Sequence, residues 1–304
     1  MTERFPDPIK TWIEQSLPSK QTIMTVEKLK GATSTTLYKI ETDTDRYVLR
    51  LYDNKSWLSK EPDLAAHEAA SLKTAAADHF GARSPQLINV DESGKQAGLP
   101  MILMQFVPGE VVLKPDDLDA WLKELARVLA GIHRIDADHF KWTFRRYTKP
   151  HELKVPDWTE HPVLWEKGMQ IVQSREPRYK ETFIHRDYHP VNVLWTGGKI
   201  SSVVDWVNAC RGPAGIDVGH CRNNLVCLFG VEAAETFLNY YKTFAGDRFS
   251  YNPYWDFVAY FDFVYPGPPK VYEGWKDFGW HDLSDAIITE RLETYFESLI
   301  EKCT

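Results

Sequence analysis

The sequence predicts a two-part α+β protein, with an N-terminal antiparallel sheet and its helix followed by a mainly α-helical second part. Three observations carry that expectation. Residues 21–52 show the period-two patterning of strands, and residues beyond 116 fall repeatedly into helical spacing. The chain has 304 residues, 43% of them hydrophobic, which is more core than one small domain needs.

The elements follow in order. Phe5–Leu17 places Ile9, Trp12, Ile13 and Leu17 at helical spacing, and Pro18 ends the run. Thr22–Leu29, Thr35–Thr42 and Arg46–Tyr52 read as three strands, joined by Gly31–Ser34 and by Asp43-Thr44-Asp45. In the third strand Val48, Arg50 and Tyr52 share one face, and Tyr47, Leu49 and Leu51 the other. An arginine in so apolar a strand wants a partner. Glu61–His79, alanine-rich and opening near Pro62, reads as a helix that carries Glu68. Runs near Pro85–Val90 and Leu99–Phe106 complete a five-stranded sheet.

The second part begins with Asp116–Ile132, whose Leu118, Trp121, Leu122, Leu125, Leu129 and Ile132 form one apolar face. His133 reads as a helix-end histidine, since cationic groups suit helix C-termini. Residues 140–181 carry Trp142, Trp158 and Trp165 among prolines and give no clear pattern. Val231–Phe244, Pro253–Val264 and Leu283–Lys302 are three further helical runs.

Composition excludes several classes of function. No apolar run approaches the roughly 18 residues of a membrane span, and MTERFPDPIK is too polar for a signal peptide, so a soluble cytoplasmic protein is expected, with no membrane partner. A net charge of −7 argues against nucleic acid as a partner. Residues 1–104 hold 13 basic and 14 acidic side chains and the remainder 23 and 29, so the excess negative charge sits in the second part. That would suit a cationic substrate, although surplus carboxylates more often form a solvated surface. Cys210, Cys221, Cys227 and Cys303 lack paired C-x-x-C spacing, and buried thiols outweigh a zinc site built from Cys210, His220 and Cys221.

The chemistry concentrates in Phe183–Trp195, FIHRDYHPVNVLW, where apolar ends bracket two histidines, an aspartate and an asparagine. Thr196-Gly197-Gly198-Lys199 reads as a hairpin turn between Val193–Trp195 and Ile200–Val204, which would return Asp205 towards Asn192. One amide oxygen and one carboxylate suit a magnesium ion that carries phosphate oxygens. Asp187, five residues before Asn192, is then placed to accept a proton from a substrate hydroxyl.

At these residues the sequence resembles the aminoglycoside phosphotransferase family, small-molecule kinases related to protein kinases. His185, Asp187 and Asn192 match its H-x-D-x-x-x-x-N catalytic loop, and Asp205 matches its metal-binding aspartate. The resemblance implies a bilobal protein-kinase-like fold, with a nucleotide-binding lobe over residues 1–106 and a catalytic and substrate-binding lobe over 107–304. It implies ATP and Mg2+ as cofactors, with Asp187, His185 and Asn192 catalytic, and Asn192 and Asp205 on the metal. Gly31, Thr33 and Ser34 would lie over the nucleotide phosphates, and Arg50, in place of the protein-kinase lysine, would pair with Glu68 and reach the phosphates. Residues 105–109 correspond to the interlobe hinge, where Gln105 and Val107 would receive adenine through main-chain groups, which leaves GTP as open as ATP. Asp217 falls where the family has an aspartate that supports the catalytic loop. Val191 departs from the family's usual glycine.

The resemblance makes the chain a kinase acting on a small-molecule hydroxyl, with an aminoglycoside-like or other cationic acceptor. A choline- or sugar-type metabolic kinase would share every catalytic residue, and a nucleotide-binding pseudokinase is the alternative without turnover. Tyr251–Trp280 is dense in aromatics and carboxylates, for which helix packing outweighs substrate contact, with Asp256 and Asp262 as the candidate substrate carboxylates.

Overall fold

Alternation along one strand decides how the sheet is covered. The computed structural model describes residues 5–29, 35–78 and 80–303. Strands β1 (Ile23–Lys28), β2 (Thr36–Thr42), β3 (Arg46–Leu51), β4 (Leu87–Asp91) and β5 (Met101–Gln105) form an antiparallel sheet in the order β1-β2-β3-β5-β4. Tyr47, Leu49 and Leu51 of β3 bury themselves against Ile9, Trp12 and Ile13 of helix α1 (Asp7–Ser16). Arg50 and Tyr52 point to the other face, where helix α3 (Leu64–Ala76) supplies Glu68.

The helix expected over Glu61–His79 is shorter, and a separate helix α2 (Lys55–Lys60) precedes it. The signal for α2 is Asn54, whose side chain accepts from the Trp57 amide at 3.1 Å as an N-cap. The phosphate-loop candidates Gly31, Thr33 and Ser34 lie outside the described residues.

The chain divides into two compact units. The sheet and its helices form the first, which takes in the chain up to Asp78, Arg83–Pro108 and Ser202–Asn208. The second holds helices α4 (Leu118–Ile132), α5 (Pro162–Gln173), α6 (Ala214–Phe229), α7 (Val231–Ala245), α8 (Tyr254–Val264) and α9 (Asp285–Glu301). Two short strands, β6 (Glu181–Ile184) and β9 (Cys210–Pro213), pair antiparallel within it, and β7 (Val193–Thr196) and β8 (Lys199–Val203) make a hairpin. Gly197 and Gly198 form its turn with φ of 58° and 75°, and two consecutive positive values are what a tight two-residue hairpin requires.

Helix α6 is buried on nearly all sides, and Gly219 allows α8 to approach closely: a β-carbon there would lie 2.7 Å from Ala259 Cβ. The unpatterned residues 140–181 contain a 3-10 turn, Pro150–Glu152, and α5, whose fully buried Trp165 packs edge-on to Trp158 and Phe261. The aromatic stretch after Tyr251 is largely packing, with Tyr260 stacked on Phe296 at 4.6 Å. Cys210, Cys221 and Cys227 are buried free thiols, and Cys303 is an exposed one. No helix among the described residues is long and apolar enough to cross a membrane.

Asp256 is a correction to the expected substrate carboxylates. It is 2% exposed, it pairs with the fully buried Arg222 at 2.6 Å, and it accepts from Tyr251 and Tyr295. Arg222 also reaches Glu235, so this charge cluster ties α6 to α7 and α8. Removing one partner of a buried pair strands the other charge. Arg222→Ala is therefore expected to destabilise the second unit by about 3–5 kcal/mol, whereas the joint replacement Arg222→Met with Asp256→Leu should recover most of that. Chemical denaturation of the three chains side by side reads both numbers.

Candidate active site

Strand β6 ends at Ile184, and the chain turns at once into His185-Arg186-Asp187. Two amides exposed by that turn need acceptors, and Asp217, in the first turn of α6, supplies both. The His185 amide donates to Asp217 Oδ2 and the Arg186 amide to Oδ1, each at 2.7 Å. A carboxylate at a helix N-terminus also lies where the helix dipole favours negative charge. Asp217 Oδ2 further meets His133 Nε2 at 3.1 Å, and the other ring nitrogen of His133 lies 2.6 Å from the Tyr241 hydroxyl. The helix-end histidine thus braces the loop's anchor. Burial alone would push the Asp217 carboxyl up, but the bond and charge of His133, the charge of His185 and the His185 amide hold it below the ordinary carboxylate value.

With its amide held, Arg186 sits at φ 72°, in the left-handed region that costs a side-chain-bearing residue about 1–3 kcal/mol. Its guanidinium lies over the rings of Phe144 at 4.6 Å and Tyr147 at 4.2 Å, and it donates to Asp262 at 3.2 Å. Asp262 also accepts from the Thr148 amide at 2.8 Å. The second expected substrate carboxylate is therefore engaged in holding the His185–Asp187 loop against residues 144–148.

That backbone turn presents Asp187. Its Oδ2 accepts from Asn192 Nδ2 at 3.1 Å, and its Oδ1 lies 3.1 Å from His220 Nε2 and 3.7 Å from His189 Nε2. Asn192 Nδ2 also donates to the Asp187 carbonyl at 2.9 Å, so the amide nitrogen is engaged and the oxygen is the atom this side chain has for a cation. Burial works to raise the Asp187 carboxyl, yet the attraction of His189, the hydrogen bond and charge of His220 and the charge of His185 hold it well below the carboxylate range. It is a carboxylate near neutral pH, with 31% of its side chain exposed.

His185 corrects the expected catalytic set in part. It is fully buried, with its ring edge-on to Tyr188 at 6.2 Å, so it positions the loop and offers no face to a substrate. Val191 lies in the 3-10 turn Pro190–Asn192 and does not have a positive φ, so the backbone there needs no glycine.

The first unit holds a second cluster. Arg50, 5% exposed, meets Glu68 Oε2 at 3.3 Å through Nε and Asp205 Oδ1 at 2.8 Å through a terminal nitrogen, and the Tyr52 hydroxyl donates to Glu68. Burial opposes the guanidinium charge, but Asp205 and Glu68 outweigh it and raise its pKa. Asp205 has φ 67°, and the buried Trp206 beside it donates to the Val203 carbonyl at 2.8 Å. Arg186 and Asp205 are the non-glycine residues with positive φ among those described, and strain of this kind gathers at functional sites. Of the adenine candidates, the Gln105 amide donates to Gln86 and the neighbouring Phe106 amide to Arg46, so sheet pairing engages both; Val107 is half-buried.

Sequence reasoning missed the placement of His189 and His220. His189 stands inside the stretch already singled out, but nothing in the sequence ties it to a residue 31 positions later on α6.

The sequence model of the phosphotransferase enzyme family matches residues 25–259. Among characterised proteins, the homoserine kinase of Rhizobium etli is 26% identical over 149 residues, 43% of each chain. That of Methylocella silvestris is 26% identical over 210 residues, 61% of this chain and 60% of its own. The matched part thus spans 43% and 60% of the length of these relatives. Among solved structures, a macrolide 2'-phosphotransferase from Brachybacterium faecium superposes with a TM-score of 0.57 at 17% identity, over 78% of this chain and 82% of that one. An amicoumacin kinase in complex with AMP-PNP and Ca2+ superposes with a TM-score of 0.58 at 14% identity, over 98% and 94%. These likenesses identify a kinase-like α+β fold.

If Asp217 holds the loop as described, Asp217→Ala leaves the His185 and Arg186 amides without acceptors. Hydrogen exchange at those two amides should then accelerate by about 100-fold or more relative to wild type. The depressed carboxyl also fixes a pH dependence. Its stabilising contribution is fully present above the unfolded value of about 3.9 and is lost as the pH falls through the lower folded value. Acid titration of stability should show a shallower loss in Asp217→Asn than in wild type over that window.

Proposed function

Because the chain belongs to the phosphotransferase enzyme family, we propose that it transfers the γ-phosphoryl group of ATP to a hydroxyl of a small, amine-bearing molecule. The observation that carries this reading is the state of Asp187. It is an ionised, partly exposed carboxylate on a loop fixed by Asp217, with one oxygen on Asn192 and the other beside His220. Such a group orients an acceptor hydroxyl and takes its proton as the new P–O bond forms.

The remaining roles follow the family pattern. The Asn192 amide oxygen and the Asp205 carboxylate are the ligands proposed for magnesium, and the donor set fits a hard cation: Asn192 has its nitrogen engaged, and Asp205 brings a full charge. When bound, the ion supplies charge neutralisation at the phosphate oxygens. Arg50, held protonated between two carboxylates, is the proposed phosphate contact, and the main chain of Val107 the proposed adenine contact. An amine-bearing acceptor is favoured by the surplus of carboxylates beyond residue 104, with 29 acidic against 23 basic side chains. Homoserine, the acceptor suggested by the names of the curated relatives, is an alcohol that carries an amine.

A coupled ADP-release screen over homoserine, other amino alcohols, aminoglycosides, macrolides and plain sugars tests the proposal. Turnover is expected with an amine-bearing alcohol and not with the plain sugars. In Asp187→Ala, turnover on that acceptor should fall by about 100-fold or more while magnesium–ATP binding stays near the wild-type value. Unchanged turnover in the variant would remove Asp187 from the chemistry.

A further inference from the structure

We propose that Asp187, His189 and His220 form a binding site for one zinc-class divalent cation, and that an ion seated there prevents Asp187 from taking a proton. The site is distinct from the magnesium position proposed at Asn192 and Asp205. Its donor atoms are one carboxylate oxygen and two imidazole nitrogens, all lying within 4.8 Å of one another. His220 Nε2 and His189 Nε2 approach the same Asp187 oxygen at 3.1 and 3.7 Å. Zinc–ligand bonds of about 2.0–2.1 Å in tetrahedral geometry separate neighbouring donors by about 3.3 Å, so the observed spacings bracket those of a bound ion.

Chemistry selects the class of cation. Two imidazoles with one carboxylate suit Zn2+, Co2+ or Ni2+, whereas Mg2+ takes oxygen donors. Three protein ligands leave a fourth position for water, as in zinc sites that are not closed structural ones. The site is also held in shape and open to solvent. The His220 ring lies edge-on to Phe263 at 6.0 Å, and Asn224 Nδ2 donates to the His220 carbonyl at 3.0 Å. The three side chains keep 15–31% of their surface exposed, so an ion can enter from water.

Coordination would commit the lone pairs of Asp187 Oδ1 to the metal while Oδ2 stays with Asn192. A cation on Oδ1 occupies that oxygen and draws charge from the carboxylate, which makes Asp187 a much weaker acceptor for the hydroxyl proton. This inhibitory consequence rests on the kinase reading, but occupancy of the site does not.

The test begins with Co2+ titrated into the full chain without nucleotide, followed by its visible d–d absorption. One equivalent should bind, be displaced by Zn2+, and be left in place by millimolar Mg2+. His220→Asn and His189→Asn should each weaken binding by about 10-fold or more, with circular dichroism reporting whether the variants fold. Anomalous scattering from zinc-soaked crystals of the unmutated chain should place the ion between the three side chains. The absence of stoichiometric binding, binding unaffected by both variants, or an ion located elsewhere would each overturn the site. Zinc that binds there yet leaves phosphoryl transfer unchanged, in a chain whose Asp187→Ala variant loses turnover, would overturn the inhibitory half of the proposal alone.

Discussion

Two hydrogen bonds from consecutive amides to one buried carboxylate set the geometry on which the loop proposed for catalysis depends. Asp217 receives the His185 and Arg186 amides through separate oxygens, which fixes the orientation of that peptide as well as its position. Charge-assisted bonds of this kind are about twice as strong as neutral ones, enough to offset the left-handed backbone at Arg186. The carboxylate is in turn held by His133, itself fixed by Tyr241. The chain of contacts therefore runs from the C-terminus of α4, through the N-terminus of α6, to the residue before Asp187.

Arg186 adds a second constraint from the opposite side. Its guanidinium, stacked over Phe144 and Tyr147 and bonded to Asp262, ties the loop to α8 and to the segment that showed no periodicity in the sequence. An arginine with the wrong backbone angle is thus kept in place by everything its side chain touches. The first unit repeats the device on its own terms. Asp205 takes a left-handed backbone beside the buried Trp206, and its carboxylate meets the arginine that also meets Glu68. In both units a residue the backbone disfavours stands at or beside a group proposed for chemistry.

Much of this was legible in the sequence because it depends on local rules. The alternation that sends Arg50 and Tyr52 away from Tyr47, Leu49 and Leu51 is a property of strands, and Gly197-Gly198 dictates its own turn. The spacing of His185, Asp187 and Asn192 located the loop. What stayed hidden depends on partners distant in sequence. Asp256 is a candidate substrate carboxylate by composition, and its burial and its pairing with Arg222, from another helix, take it out of that role. Asp262 is engaged by Arg186 and Thr148, more than 70 positions before it. The sequence offers His220 only beside Cys210 and Cys221, and its pairing with Asp187 depends on a fold contact that no local spacing reveals. Residues 140–181 lacked a readable period because their order comes from Trp165 packing on α8 and α9.

The central claim is that Asp217 acts on chemistry only through the loop that presents Asp187. Phosphoryl-transfer rates for Asp187→Ala, Asp217→Ala and the double variant, measured side by side at saturating ATP and acceptor, test it most directly. Residues that work as one unit are strongly non-additive. The double variant is predicted to be no slower than Asp187→Ala alone, within about twofold. Losses that multiply across the two sites would contradict the account.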